Sequence, residues 1–148
     1  MKPFLKKSAL GVALLCMACI GISSCKKGGM PAAKASPKAY AQLLIGTFAR
    51  TGVAVSNSGT AWKDLTPSYP GEILSFSPDG TYVDKEGYAT DSGYWEIPPN
   101  SSTLIKGALS YSMAALDEHS LVLVLTYASP VSASDGDLYQ YWRYSYGR

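Results

Sequence analysis

Four carboxylates, Asp79, Asp84, Glu86 and Asp91, fall within residues 74–97, LSFSPDGTYVDKEGYATDSGYWEI, with glycines between them. Such a run could ligate calcium or supply an acid/base pair. A calcium loop of the EF-hand type needs oxygen ligands at alternate positions, with a glycine at the sixth and a glutamate at the twelfth. Counted from Asp79, the third position is Thr81 and the fifth is Val83, so that pattern fails. Nothing in the spacing calls for a glycosidase-like carboxylate pair either. Read as strands and turns, the stretch is self-consistent. Pro78-Asp79-Gly80 supplies a turn with Gly80 at a positive-φ position. Across it Ser77 meets Thr81, Phe76 meets Tyr82 and Ser75 meets Val83, which puts Phe76 and Tyr82 on one face. Glu86-Gly87 forms a second turn, and Asp91-Ser92-Gly93 leads into the next strand.

The remaining candidates for chemistry are sparse. His119 is the single histidine and sits in Asp117-Glu118-His119-Ser120, a turn between two β-like runs. A Ser-His-Asp triad would need partners brought together by the fold. Asp135-Gly136-Asp137 could meet a hard cation, but it also reads as the tip of a polar loop, residues 132–137. There is no nucleophile motif, metal triad or phosphate loop. The expectation is therefore a protein that is not an enzyme and carries no metal or cofactor.

The elements that would hold these residues are short. Ser36-Pro37 opens a helix of about two turns through Leu44, with serine as N-cap and proline at the first helical position. From Ile45 onward, β-like runs alternate with turn residues. Eight strands are predicted, at 45–55, 72–77, 80–85, 92–97, 102–107, 109–116, 120–127 and 138–146. Proline-bearing loops around 66–71 and 129–131 are the longest interruptions. Eight consecutive hairpin-linked strands favour an antiparallel meander closed into a barrel, or a sandwich. Closure removes the exposed edges. In the last strand, alternation puts Tyr139, Tyr141 and Arg143 on one face and Gln140, Trp142, Tyr144 and Tyr146 on the other.

The first residues are of a different kind. Lys2, Lys6 and Lys7 precede an apolar run from Ser8 to Ile22, which is shorter than the roughly 20 residues a membrane span requires. Residues 1–24 read as a signal peptide. Its end, Ile22-Ser23-Ser24-Cys25, resembles the lipobox of bacterial lipoproteins. That resemblance implies lipidation of Cys25, cleavage before it and acylation of the new N-terminus with palmitate-like fatty acids. An uncleaved anchor and an ordinary exported protein are the competing readings. Residues 25–38 are Gly-, Pro- and Ala-rich and form a flexible linker to a domain over 39–148. All three cysteines lie at or before position 25, so the domain has no disulfide to stabilise it.

Charge is divided along the same boundary. Of thirteen basic residues, three precede position 25 and four lie in 25–38, which leaves six against all eleven acidic residues from 39 onward. The domain is thus net acidic, the opposite of a nucleic-acid binder.

Within the domain, Leu44-Ile45-Gly46-Thr47-Phe48 resembles the opening Gly-x-Trp strand of lipocalin-like proteins, with Phe48 in place of tryptophan. Leu74 to Tyr82 is similar to the Phe-turn-Asp-Gly-Thr-aromatic hairpin of small bacterial lipocalin-like lipoproteins of the Bacteroidetes type. Gly93-Tyr94-Trp95-Glu96-Ile97 is similar to the strand that follows it there, and Tyr111-Ser112-Met113 with Leu121-Val122-Leu123 to the next hairpin. Arg143 is placed like the basic residue that covers the opening aromatic in lipocalins. The resemblance implies an all-β protein: an eight-stranded antiparallel up-and-down barrel with a short N-terminal helix. It also implies an interior that can hold a small apolar or amphipathic ligand at the cell envelope. One-face alternation nominates Phe76, Tyr82, Trp95, Ile97, Tyr111 and Met113 as its lining. The expected location is the outer membrane, lipid-anchored and facing the periplasm. Eight-stranded barrels are also close to the size that side chains fill unaided. A solid-core module that binds another envelope protein through the tyrosines of the last strand is the alternative.

Overall fold

The computed structural model describes residues 37–148. The signal peptide, Cys25 and the linker through Ser36 lie outside the described residues. The chain opens with α1 (Pro37–Leu44), followed by β1 (Gly46–Ser56), a two-residue β2 (Lys63–Asp64) and a short 3-10 turn, Thr66–Ser68. Then come β3 (Glu72–Phe76), β4 (Thr81–Glu86), β5 (Ala89–Glu96), β6 (Thr103–Lys106), β7 (Leu109–Leu116), β8 (Ser120–Ser132) and β9 (Leu138–Gly147).

Strands β3 to β9 pair antiparallel in chain order, and β1 pairs with both β3 and β9. The sheet therefore closes into an eight-stranded up-and-down barrel, the lipocalin-like architecture expected from the sequence. The seam is long: Ala49 faces Gly147 at one end and Ser56 faces Tyr141 at the other. β2 is an addition that the sequence did not announce. It folds back on the far end of β1, pairing Ala54 with Asp64 and Val55 with Lys63.

The first hairpin has the predicted register, with Phe76 opposite Tyr82 and Ser75 opposite Val83. Gly80 at φ 83° closes its turn, donating to the Ser77 carbonyl at 3.1 Å. Two boundaries differ from expectation. β5 starts at Ala89, so Asp91-Ser92-Gly93 lies inside the strand, with Asp91 opposite Asp84. A two-residue turn after Glu86 leaves no room for a longer lead-in. β8 continues through Pro130 instead of ending in a loop. Its register jumps between Thr126 and Val131, an irregularity that takes in a residue with no N–H to donate.

In an up-and-down barrel the turns alternate between two ends. The β3–β4, β5–β6 and β7–β8 turns share one end with α1. The β1–β3 connection and the β4–β5, β6–β7 and β8–β9 turns share the other. Near the α1 end the interior is apolar: Leu44, Phe48, Leu74, Phe76, Leu104 and Leu121 are buried together. Phe76 meets Phe48 and Trp95 edge-on, with ring centroids 6.3 and 5.6 Å apart.

Arg148 fastens this end. Its guanidinium lies 4.2 Å from the Phe48 ring centroid and donates to the carbonyls of Leu43 at 2.6 Å and Ile45 at 2.9 Å. The cation over the opening aromatic is thus Arg148. Arg143, expected there, stands over Trp62 at 4.5 Å, because alternation turns it to the outside of the barrel.

Candidate functional site

The inward face of several strands changes character along the barrel axis. On β1 it runs from Phe48 to Arg50, on β3 from Phe76 and Leu74 to Glu72, and on β6 from Leu104 to Lys106. On β4 it runs from Tyr82 to Asp84 and Glu86. Each step is two residues, so each charged side chain shares a face with an apolar neighbour. Strand direction collects all five charged groups at the end opposite α1.

There they line a cup of about 190 Å3. Tyr111 from β7, Tyr144 and Tyr146 from β9 and Tyr69 from the β1–β3 connection complete its wall. Arg50 forms ion pairs with Glu72 and, at 2.5 Å, with Glu86, and it donates to the Pro70 carbonyl. Lys106 pairs with Asp84. Its ammonium also lies 5.0 Å from the Tyr82 ring centroid and 6.0 Å from that of Tyr111, a cation–π arrangement. Tyr146 donates its hydroxyl hydrogen to Glu72 at 2.8 Å, and Tyr82 donates to Asp91 at 2.8 Å. The second oxygen of Asp84, Oδ1, is buried and accepts no hydrogen bond among the described residues.

Burial, reinforced by the charge of Asp84, raises the Glu72 carboxyl above the ordinary carboxylate range, against the pull of Tyr146, Arg50 and Lys106. For Arg50, burial opposes the charged form, but Glu86 and Glu72 outweigh it and the guanidinium stays ionised. Burial and the Asp91 carboxylate push the Tyr82 phenol up to about 12. Tyr111 and Tyr144 are raised too, by burial first and then by Tyr127.

Of the six pocket residues expected from sequence, Tyr111 lines the cup. Phe76, Tyr82 and Met113 are buried in the core, and Trp95 and Ile97 pack against it partly buried. The cup is lined by charged groups and tyrosines, whereas the lining nominated from the sequence held no charged residue. Sequence reasoning passed over Arg50, Glu72 and Lys106, and it weighed Asp84 and Glu86 as calcium or acid/base candidates before assigning their stretch to strands and turns. The signal was available: the alternation that turned Phe76 and Tyr82 inward, continued by two or four residues, reaches Glu72, Asp84 and Glu86.

The other candidates have local roles. Asp79 Oδ1 accepts from the Thr81 amide at 3.0 Å and the Thr81 hydroxyl at 2.7 Å, an Asx-type turn. Asp117 accepts from the amides of His119 and Ser120, both at 2.8 Å. Asp135 and Asp137 face Lys63 at 2.6 and 3.4 Å, so an ammonium occupies the place considered for a hard cation. Among the described residues no group of three His, Cys, Asp or Glu side chains converges as a metal site requires.

The outer face of β9 is covered from within the molecule. The Tyr141 ring packs beside Gly59, Trp62 lies over Arg143, and the Tyr139 hydroxyl accepts from Lys63 at 3.1 Å. That face is not the open tyrosine surface expected of an interaction module.

Fold and cup together define a closed antiparallel barrel, apolar and plugged at one end, charged and open at the other. No protein-family model, no curated protein and no solved structure matches this chain.

Proposed function

We propose that this protein is a lipid-anchored envelope lipoprotein of lipocalin-like kind, which binds a small amphipathic molecule in the cup. The observation behind the binding reading is the unfilled volume at one end of a barrel whose other end holds the buried apolar cluster around Phe48 and Phe76. About 190 Å3 is below the roughly 300–1,000 Å3 of drug-sized pockets, so the ligand is small. Native mass spectrometry of the protein drawn from its own membranes should show a bound species of low mass. A variant with Tyr144→Trp, which fills the cup, should lose it. Retention of the species by that variant would move binding elsewhere.

The anchor reading rests on the apolar run of residues 8–22 and on Cys25. On it, the protein sits in the outer membrane facing the periplasm. Replacing Cys25 with alanine should release the protein from the membrane fraction and abolish fatty-acid labelling; an unchanged fractionation would overturn the anchor.

A second reading, a membrane-tethered module that binds another envelope protein, draws on a different face. Ile73, Val83 and Tyr94 follow a diagonal across the outside of β3–β5 and are 43, 36 and 77% exposed. Crosslinking at position 94 on intact cells tests it, and recovery of no reproducible partner counts against it.

A further inference from the structure

The charges around the cup do not balance. Where Glu72 is ionised, Glu72, Asp84 and Glu86 contribute three carboxylates against the two cations Arg50 and Lys106. Both cations are already matched. Arg50 meets two carboxylates and a backbone carbonyl, and Lys106 meets Asp84 and two aromatic rings. The carboxylates are not. Asp84 Oδ1 is buried with no hydrogen-bond partner among the described residues, and the Glu86 side chain, 43% exposed, stands at the rim with one oxygen on Arg50. An unmatched buried acceptor is unfavourable, and a positive charge nearby relieves it.

The uncharged part of the wall points the same way. Tyr111 and Tyr144 meet edge-on with centroids 6.4 Å apart, and Tyr144 stacks on Trp142 at 6.4 Å. Aromatic faces attract cations through their quadrupole, more strongly where water is excluded. The whole domain, with eleven acidic residues against six basic ones from position 39 onward, adds a long-range field of the same sign.

We infer that the cup is a site for a small organic cation, a primary or quaternary ammonium with a short carbon chain. Its positive centre lies in the field of Asp84 and Glu86, and its body rests on the Tyr111 and Tyr144 rings. The cup has room for about six water molecules' worth of ligand. This inference rests on the small-ligand reading above and narrows it to one charge class. An anion would have to displace carboxylates from Arg50 or Lys106. A neutral body would leave the excess negative charge where it is.

The test uses the full chain in detergent micelles and three matched probe sets. Choline and n-butylammonium are the cations, 3,3-dimethylbutanol and n-butanol the neutral analogues, and n-butyrate the anion. Calorimetric titration gives affinity, and ring-proton NMR shifts of Tyr111 and Tyr144 report whether a probe sits in the cup. At least one cation should bind at least about tenfold more tightly than its neutral analogue, the equivalent of about 1.4 kcal/mol. Glu86→Gln should weaken that cation by about tenfold. The analogue comparison needs no variant, so it stands even if Glu86→Gln misfolds. If a neutral or anionic probe shifts the Tyr111 and Tyr144 signals as strongly as the cations do, the cation assignment falls and the small-ligand cup survives. If no probe of any charge shifts them, both fall.

Discussion

Arg148 and Glu72 show how much of this barrel depends on single side chains facing groups distant in sequence. Arg148 satisfies carbonyls at the end of α1, which has no basic residue of its own in its last turn, and covers Phe48 with the same guanidinium. An arginine fork can do both at once, whereas a lysine offers a point charge. Arg148→Ala should lower stability by about 1–3 kcal/mol and Arg148→Lys by less, measured by urea denaturation. Equal losses for the two variants would show that the planar fork is irrelevant. Glu72 gives a pH signature. Its folded pKa is raised by burial and by Asp84, so the folded state holds the proton more tightly than the unfolded chain. The Glu72 contribution to stability is then fully present below the unfolded value near 4.5 and is lost as pH rises through the folded value. The stability difference between the native protein and Glu72→Gln should therefore fall as pH climbs above about 4.5. A difference that stays flat from pH 4 to 7 would remove Glu72 as the cause.

At the scale of elements, the β3–β4 hairpin was the most legible part. Its register and its turn follow from Pro78-Asp79-Gly80 and the alternation on either side. Gly80 at φ 83° occupies a conformation that a β-branched residue resists. Gly80→Val should destabilise the protein by about 1–2 kcal/mol, read by thermal or urea unfolding. A neutral result would mean that the turn adopts another form at no penalty. β2 and the course of β8 past Pro130 were not legible. A two-residue strand has no period to detect, and a proline marks a loop or an irregular strand equally well until its partner strand is known. The same holds for Arg143 and Arg148. Arg143 was expected over Phe48, but alternation turns it outward, and the end of β9 beside the start of β1 gives that place to Arg148.

For the whole molecule, closure is the decisive property. Eight strands could have packed as a sandwich, with two free edges per sheet. The β1–β9 seam removes those edges and gives the interior two ends of opposite character. Amides of β1 and β9 that bond across the seam should exchange with deuterium as slowly as those of β7 and β8. Fast exchange confined to the seam would mean that the barrel is open in solution. The surface cluster of Lys63, Asp135 and Asp137 holds the β8–β9 loop to β2 near the cup rim. Because Lys63 is half exposed there, Lys63→Ala should leave the urea denaturation midpoint nearly unchanged. A clearly lower midpoint would show that the rim is held by that contact.

The eight strands of the barrel, the first hairpin, the short helix and the net acidity of the domain were determined by the sequence itself, because each depends on neighbours within a few positions. The inward face of each strand was readable for the same reason. What only the tertiary structure decided is the meeting of those faces. Arg50 and Glu72 are more than twenty residues apart, as are Asp84 and Lys106, and barrel shear and strand direction place them at one end. That convergence turns five scattered charges into a cup. Partner choice across strands is a property of the closed sheet, which no single stretch of chain encodes.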